Sequence, residues 1–156
     1  MSKVLVLTPR YPYPIEAGDT LRIYHLCREL TKEHSLTLLS LCGSQRSLQK
    51  PPGDVFDRVE CVYHPKWKAW YQTVKAFLKG EPLQLGYFRS KQFAARTQSL
   101  LSKHDLILSH FTRTGQYAEN QSDVPTVLEM TDAFSLNYKR VASLHRWNIQ
   151  ELLYRI

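Results

Sequence analysis

The sequence predicts an α/β domain built on a doubly wound, mostly parallel sheet. Short apolar runs alternate along the chain with amphipathic helical patterns, which is the signature of such a sheet. Each run is nearly continuous in apolar residues, as expected for strands covered by helices on both faces. With 156 residues, of which 43% are hydrophobic, the chain is large enough to bury its own core. We therefore expect one domain over residues 1–156.

The first elements are predicted to form one right-handed βαβ unit. An unbroken apolar run predicts a strand over residues 3–8, and three prolines then prevent regular structure until Gly18. Either Asp19 or Thr20 is expected to cap the following helix. A second buried strand is predicted over 35–42. The buried stripe of the helix is expected at Ile23, Leu26, Cys27 and Leu30.

The rest of the chain continues the alternation of strands and helices. The predicted elements, in order, are a loop at 43–57, a strand at 59–63, a helix at about 66–79 ended by Gly80, a helix from a Ser90 cap to 102, strands at 105–109 and 125–130, and a long terminal helix from about 134.

The formal net charge of +7 favours anionic partners: nucleotide phosphates, nucleic acid or an anionic membrane surface. No zinc-site spacing, RNP-type motif or recognition helix supports nucleic acid, so we expect no nucleic-acid partner. The three cysteines form no C-x-x-C pair, and we interpret all of them as buried free thiols of a reducing compartment. The first apolar run is too short for a signal peptide. A cytoplasmic protein, peripheral at the inner face of the membrane, is therefore expected.

Several catalytic motifs are absent from the sequence. It has no G-x-G-x-x-G, no G-K-[ST], no D-x-D and no G-x-S-x-G, which disfavours nicotinamide enzymes, P-loop NTPases and α/β-hydrolases. No cluster of His, Cys and carboxylates has the spacing of metal ligands, so no metal site is predicted.

Ligands of doubly wound sheets bind beyond the carboxyl ends of the strands, where four residues have chemistry to offer. Gly18 either brings the backbone close to an anion or only supplies a positive φ for a turn. His110 either points into the cleft or is a structural histidine. Arg113 is placed to reach a phosphate. Asp132 either caps the final helix or hydrogen-bonds a sugar hydroxyl.

The predicted helix at 66–79 has one aromatic, apolar face and an opposite face rich in lysine. This pattern is typical both of a helix packed on a core and of one that lies in a membrane interface or grips a lipid-linked acceptor. The residues of the apolar face are Trp67, Trp70, Tyr71, Val74, Phe77 and Leu78.

Taken together, several segments resemble a known family. The run V-L-V-L-T-P-R-Y-P-Y-P at 4–14 resembles the start of the family 4 (group 1) glycosyltransferases, closest to bacterial sugar transferases of exopolysaccharide and surface-polysaccharide pathways. The resemblance covers nearly the whole chain. Its further matches are Ala17-Gly18-Asp19 with Arg22, residues 26–30, 34–39, 82–84, 87–90, 105–110 and 127–138.

The resemblance implies a GT-B enzyme, with two Rossmann-like domains facing across a cleft. It implies retaining, metal-independent hexosyl transfer from a nucleotide sugar, used as a substrate without any cofactor, to a glycan or lipid-linked acceptor. This chain would be the N-terminal, acceptor-side domain. The C-terminal donor domain, with its paired-glutamate motif, is absent from the sequence. We therefore expect the chain alone to be inactive and to self-associate over its exposed cleft. The alternative is a non-catalytic binding or membrane-docking module of the same fold.

The resemblance also assigns expected roles to residues. Gly18 and Asp19 would lie beside the donor diphosphate, and His110 would be catalytic, near the transferred sugar. Asp19 stands where the family more often has a second glycine, and its carboxylate repels phosphate unless it turns away to cap the helix. Substrate-binding roles are expected for Arg22, Arg113 and Asp132.

Overall fold

The computed structural model describes residues 1–15, 17–43, 55–119 and 123–130. The elements in chain order are β1 (Lys3–Thr8), α1 (Gly18–Leu30), β2 (Ser35–Cys42), β3 (Arg58–Tyr63), α2 (Lys66–Leu78), α3 (Leu83–Tyr87), α4 (Lys91–Leu101), β4 (Leu106–His110), α5 (Thr112–Gly115) and β5 (Thr126–Glu129). The predicted terminal helix from 134 lies outside the described residues.

The five described strands form one sheet in the order β3-β2-β1-β4-β5, and all of their pairings are parallel. The predicted α/β class with a parallel sheet is confirmed. The chain winds outward from β1 in one direction through β2 and β3, and in the other through β4 and β5. The direction of winding therefore reverses between β1 and β4, which is where such sheets open a crevice at their carboxyl edge.

The central strand β1 is buried on both faces, as its unbroken apolar run predicts. Val4 and Val6 pack in a core with Ile23 and Cys27 of α1. On the other face, Leu5 and Leu7 pack in a second core with Phe93, Leu100 and Ile107. Successive side chains of a strand point to opposite faces, so β1 joins two helical layers.

The N-cap of helix α1 lies two to three residues earlier than expected. Its N-cap is Ala17, so the prediction that Asp19 or Thr20 caps it is wrong. The Thr20 hydroxyl, in the first turn, donates to the Ala17 carbonyl at 2.8 Å and accepts from the Ala17 N–H at 3.2 Å. A polar side chain three residues into the helix therefore supplies the local hydrogen bonds. The predicted Ser90 cap of α4 is confirmed, since its Oγ accepts from the Phe93 N–H at 3.3 Å.

Helix α2 keeps its aromatic face in solvent. The side chains of that face are 56–78% exposed, and only Ala69 and Ala76 of the helix are buried. Packing of this face on the core formed by the described residues is therefore excluded. Among the described residues, no helix is long and apolar enough to cross a bilayer. The cysteines also differ in part from expectation, because Cys27 and Cys42 are buried whereas Cys61 is only half-buried.

Candidate functional site

A polar group lies at the carboxyl edge of the sheet, beside the crevice between β1 and β4. Thr8 ends β1, His110 ends β4 and Glu129 ends β5. His110 and Glu129 are partners in the parallel register of β4 and β5, so their side chains leave the same face of the sheet. Helix α1 brings Arg22 to the same place.

Glu129 joins the other two side chains. His110 Nδ1 lies 2.5 Å from one carboxylate oxygen of Glu129, and Arg22 Nε donates to the other at 2.6 Å. The His110 and Glu129 side chains are only 3% and 9% exposed, whereas that of Arg22 is 53% exposed. The carboxylate is therefore held by a buried imidazole on one side and by a partly solvated guanidinium on the other.

Burial favours the neutral form of the His110 imidazole. Burial lowers the pKa of His110 below its ordinary value, and the hydrogen bond and negative charge of Glu129 oppose this without cancelling it. In the neutral ring, Nδ1 donates its hydrogen to the Glu129 carboxylate, which leaves the lone pair on Nε2. The pair thus fixes both the tautomer and the orientation of the ring.

His110 Nε2 is buried and has no hydrogen-bond partner among the residues that the structure describes. Leaving a buried acceptor unsatisfied costs about 1–3 kcal/mol. The Thr8 hydroxyl, at the end of the adjacent strand β1, is also buried and unpaired within the described ranges. Two unsatisfied polar groups at one sheet edge are what a site for a hydroxyl-bearing ligand would present.

The backbone after His110 is strained and firmly held. Phe111 has φ +67°, which is costly for a residue with a side chain, by about 1–3 kcal/mol. Its ring centroid lies 4.0 Å from that of His110. Below it, the buried Thr114 hydroxyl lies 2.7 Å from the His110 carbonyl oxygen and 2.9 Å from Ser109 Oγ. Strain of this kind is concentrated at functional sites in proteins.

The start of α1 is open to a ligand. Gly18 does not have a positive φ, so the interpretation that it is needed for a turn is wrong. A Cβ added to Gly18 would meet no atom of the described residues within 4 Å, so their packing does not require a glycine there either. What remains is a backbone that a ligand can approach closely at a helix N-terminus.

Asp19 is neither turned away as the cap of α1 nor left as an isolated charge. Its carboxylate forms an ion pair with Arg10 of the preceding loop. Burial raises the pKa of Asp19, but the hydrogen bond and charge of Arg10 and the N–H groups of Thr20 and Asp19 outweigh it, so the pKa lies below its ordinary value. Arg10 therefore offsets the negative charge that Asp19 places beside the helix start.

Arg113 lies outside the group formed by His110, Glu129 and Arg22. Its guanidinium stacks on Phe88 at 5.1 Å and on Phe111 at 5.6 Å, and its Nε donates to Gln84 at 3.4 Å. The Phe111 ring thus contacts both His110 and Arg113, and a phosphate-binding role for Arg113 stays a prediction. Asp132 lies outside the described residues.

Sequence reasoning missed Glu129 and Thr8. Both are polar residues at the end of an apolar run, which is the signal that pointed to His110. The contact of Glu129 with the histidine depends on the register of β4 and β5, which the sequence does not reveal.

Two further features bear on the chemistry of the site. The described part of the chain contains no group of three or more His, Cys, Asp and Glu side chains able to hold a metal ion. A cavity of about 630 Å³ lies between α5 and β5, lined among others by Leu85, Thr112, Val124 and Leu128. Its lining does not include His110, Glu129 or Arg22, so the polar group and not this cavity is the candidate site.

Comparison with family models, with curated proteins and with solved structures finds no match to this chain. The comparisons therefore assign it to no family.

Proposed function

We propose that the chain is the acceptor-side, N-terminal half of a retaining GT-B glycosyltransferase of the hexosyltransferase type. It would act on a nucleotide sugar and on a glycan or lipid-linked acceptor in surface-polysaccharide biosynthesis. The observation that carries the proposal is the buried Nε2 of His110, which has no partner among the described residues and is fixed by Glu129 at the sheet edge where α/β folds bind ligands.

In the proposed reaction, His110 only has to accept a hydrogen bond from the sugar. The bond from the anomeric carbon of the sugar to the diphosphate oxygen breaks, a bond from that carbon to an acceptor hydroxyl oxygen forms, and the hydroxyl proton leaves with the diphosphate. A neutral imidazole suits this site because its Nε2 lone pair accepts a hydrogen bond from a sugar hydroxyl. An imidazolium there would instead repel the oxocarbenium-like sugar.

The start of α1 is the proposed place for the donor diphosphate. Gly18 presents N–H groups without a side chain in the way, and the pairing of Asp19 with Arg10 reduces the repulsion of a phosphate. The elements that hold most of the donor in such enzymes, including the paired glutamates, are not among these 156 residues. The chain by itself is therefore proposed to bind nucleotide weakly and to transfer no sugar.

Nucleotide titration monitored by NMR tests this proposal. Uridine diphosphate and guanosine diphosphate are added separately to the labelled 156-residue chain. The expected result is that one of them shifts the amides of Gly18, Asp19 and Arg22 and the imidazole of His110. Shifts that avoid this edge of the sheet, or none with either nucleotide, would contradict the proposal. Measurable turnover of a nucleotide sugar would contradict the prediction that this chain is inactive alone.

The rival function is a non-catalytic binding module of the same fold. This rival predicts that the group formed by His110, Glu129 and Arg22 binds a ligand that contains no nucleotide. Titration with free monosaccharides distinguishes the two, because a module of this kind shifts His110 with the sugar and leaves Gly18 unchanged with the diphosphates.

A further inference from the structure

Helix α2 is amphipathic, but its large apolar side chains point to solvent, whereas those of a core helix point inward. The residues it turns inward are small: Ala69 and Ala76 are buried, and Thr73 is half-buried. A Cβ added to Gly86 of α3 would lie 2.5 Å from the Ala76 Cβ, so α2 and α3 approach each other as closely as these small residues permit. The large apolar side chains of α2 are consequently the ones that face solvent.

The exposed face is continuous along the helix. Its six side chains recur at the spacing of one helical stripe, and each is at least 56% exposed. An apolar stripe of this length is unusual for a surface that meets only water. Tryptophan and tyrosine supply half of its residues, and they favour the boundary between an apolar phase and water. The stripe consists of Trp67, Trp70, Tyr71, Val74, Phe77 and Leu78.

The charges on α2 itself all have one sign, and Glu81, which follows the helix, lies 4.0 Å from Lys79. Residues 66–79 include four lysines, all exposed, and no acidic residue. Glu81, the first acidic residue after the helix, is already paired with Arg89 at 2.5 Å. The cores of protein–protein interfaces are depleted in lysine, whereas at an anionic membrane lysine stems extend along the apolar layer and their ammonium groups meet lipid phosphates. Charge complementarity therefore favours a membrane over a protein as the occupant.

A groove continues the same surface toward the carboxyl end of β3. It has a volume of about 360 Å³ and is lined by Trp67 and Tyr71 of the stripe, by Lys68 and Lys91, and by Arg89, which is paired with Glu81. Aromatic rings beside ammonium groups offer a phosphate a charged partner next to an apolar floor. The groove is thus shaped for the headgroup of an anionic lipid whose chains lie beside the stripe.

We propose that α2 is a membrane-docking helix, which lies in the plane of an anionic lipid surface with its aromatic face among the acyl chains. Residues of α2 take no part in the group formed by His110, Glu129 and Arg22. Membrane docking therefore does not depend on the proposed glycosyltransferase function, and either can fail without the other.

Vesicle co-sedimentation of the full chain tests the proposal. The chain is expected to bind vesicles of equal parts phosphatidylcholine and phosphatidylglycerol, and to bind much more weakly to phosphatidylcholine alone. The variant Trp67→Ala/Leu78→Ala is expected to reduce binding at least about 10-fold. Leu21→Ala, which truncates an exposed leucine of α1, is the control and should leave binding unchanged.

A charge variant gives an independent measurement. Lys68→Gln/Lys75→Gln is expected to weaken binding roughly 30-fold, since each lysine near an anionic surface adds about 1 kcal/mol. Lys3→Gln/Lys103→Gln makes the same change in net charge at exposed positions outside α2 and should have much less effect. All substituted side chains are exposed, and an unchanged melting temperature verifies the fold.

Three results would overturn the proposal. One is the absence of binding to the anionic vesicles. Another is binding that the α2 variants do not reduce relative to their controls. The last is a stable dimer in solution that Trp67→Ala/Leu78→Ala converts to monomer, because the stripe would then be covered by a second copy of the chain.

Discussion

The carboxylate of Glu129 makes a contact whose removal has two measurable consequences. Glu129→Gln preserves the shape of the side chain but removes its charge. The amide oxygen can still accept one hydrogen bond, but the amide NH₂ then faces the second donor, either His110 Nδ1–H or Arg22 Nε–H. One of the two donors loses its acceptor in either orientation.

The cost follows from burial. A hydrogen bond to a charged group contributes about 1.5–3 kcal/mol to stability when it is buried. The His110–Glu129 contact is buried, whereas the Arg22 side chain is 53% exposed and adds little. We therefore expect Glu129→Gln to destabilise the fold by about 1.5–3 kcal/mol, which lowers Tm by roughly 3–12 °C for a chain of this size.

The pKa of His110 supplies the second consequence. Burial lowers this pKa, and Glu129 raises it through its hydrogen bond and charge. Without the carboxylate the largest raising influence is lost, while burial and the charge of Arg22 still lower the pKa and only Asp19 raises it, so the pKa of His110 should fall further in Glu129→Gln. NMR titration of the imidazole C2–H signal measures this shift, and thermal melting measures the stability.

Glu29→Gln is the matched control. It makes the same chemical change in an ion pair with Lys32, in which both side chains are about two-thirds exposed. Its effect on Tm should be negligible. If Glu129→Gln and Glu29→Gln melt alike and His110 titrates as before, the His110–Glu129 contact does not exist in solution and the candidate site loses its basis.

Three further predictions concern single residues. His110→Gln should flatten the pH dependence of stability. Because the pKa of His110 is lowered on folding, the stability of the unsubstituted chain is at its full value above pH 6.5 and falls as the pH drops toward the lowered pKa. Urea unfolding should show this loss as up to about 1.4 kcal/mol per pH unit in the unsubstituted chain and not in the variant. Gly18→Ala should preserve stability or raise it by up to about 1 kcal/mol, yet weaken binding of uridine or guanosine diphosphate in calorimetry. The control Gly43→Ala should leave binding unchanged. If both variants bind the nucleotide with the same affinity, Gly18 does not belong to the nucleotide site. Gly86→Ala should destabilise the fold by about 1–3 kcal/mol in urea unfolding, because its Cβ would overlap that of Ala76. Gly115→Ala should cost much less, since the nearest atom to its new Cβ would be Leu128 Cδ1 at 3.4 Å. Similar losses of stability in the two variants would refute the close packing of α2 on α3.

The secondary structure and the sheet class could be predicted because their causes are local. The unbroken apolar run of β1 reflects burial on both faces, and the Ser90 cap reflects a hydroxyl positioned to accept from its own first turn. The start of α1 was misjudged because two side chains in its first turn also have capping chemistry. Only the backbone conformation identifies Ala17 as the N-cap.

The candidate site could be predicted only in outline. His110 stood out because it follows an apolar run, and it does lie at the carboxyl edge of the sheet. Its partner could not be found that way, because Glu129, Asp132 and Arg113 all lie near strand ends in the sequence. Pairing of β4 with β5 places Glu129 beside His110, and Arg113 stacks on Phe88 and Phe111.

For this protein, the sequence by itself determined the alternation of strands and helices, since hydrophobic periodicity and turn residues act over a few neighbouring positions. It also determined that residues 66–79 carry one apolar and one basic face. Only the tertiary structure decided which face of α2 meets solvent, because the small residues Ala76 and Gly86 fix the rotation of the helix against α3. The tertiary structure likewise decided that His110 meets Glu129, because strand order and register bring together residues 19 positions apart in the chain.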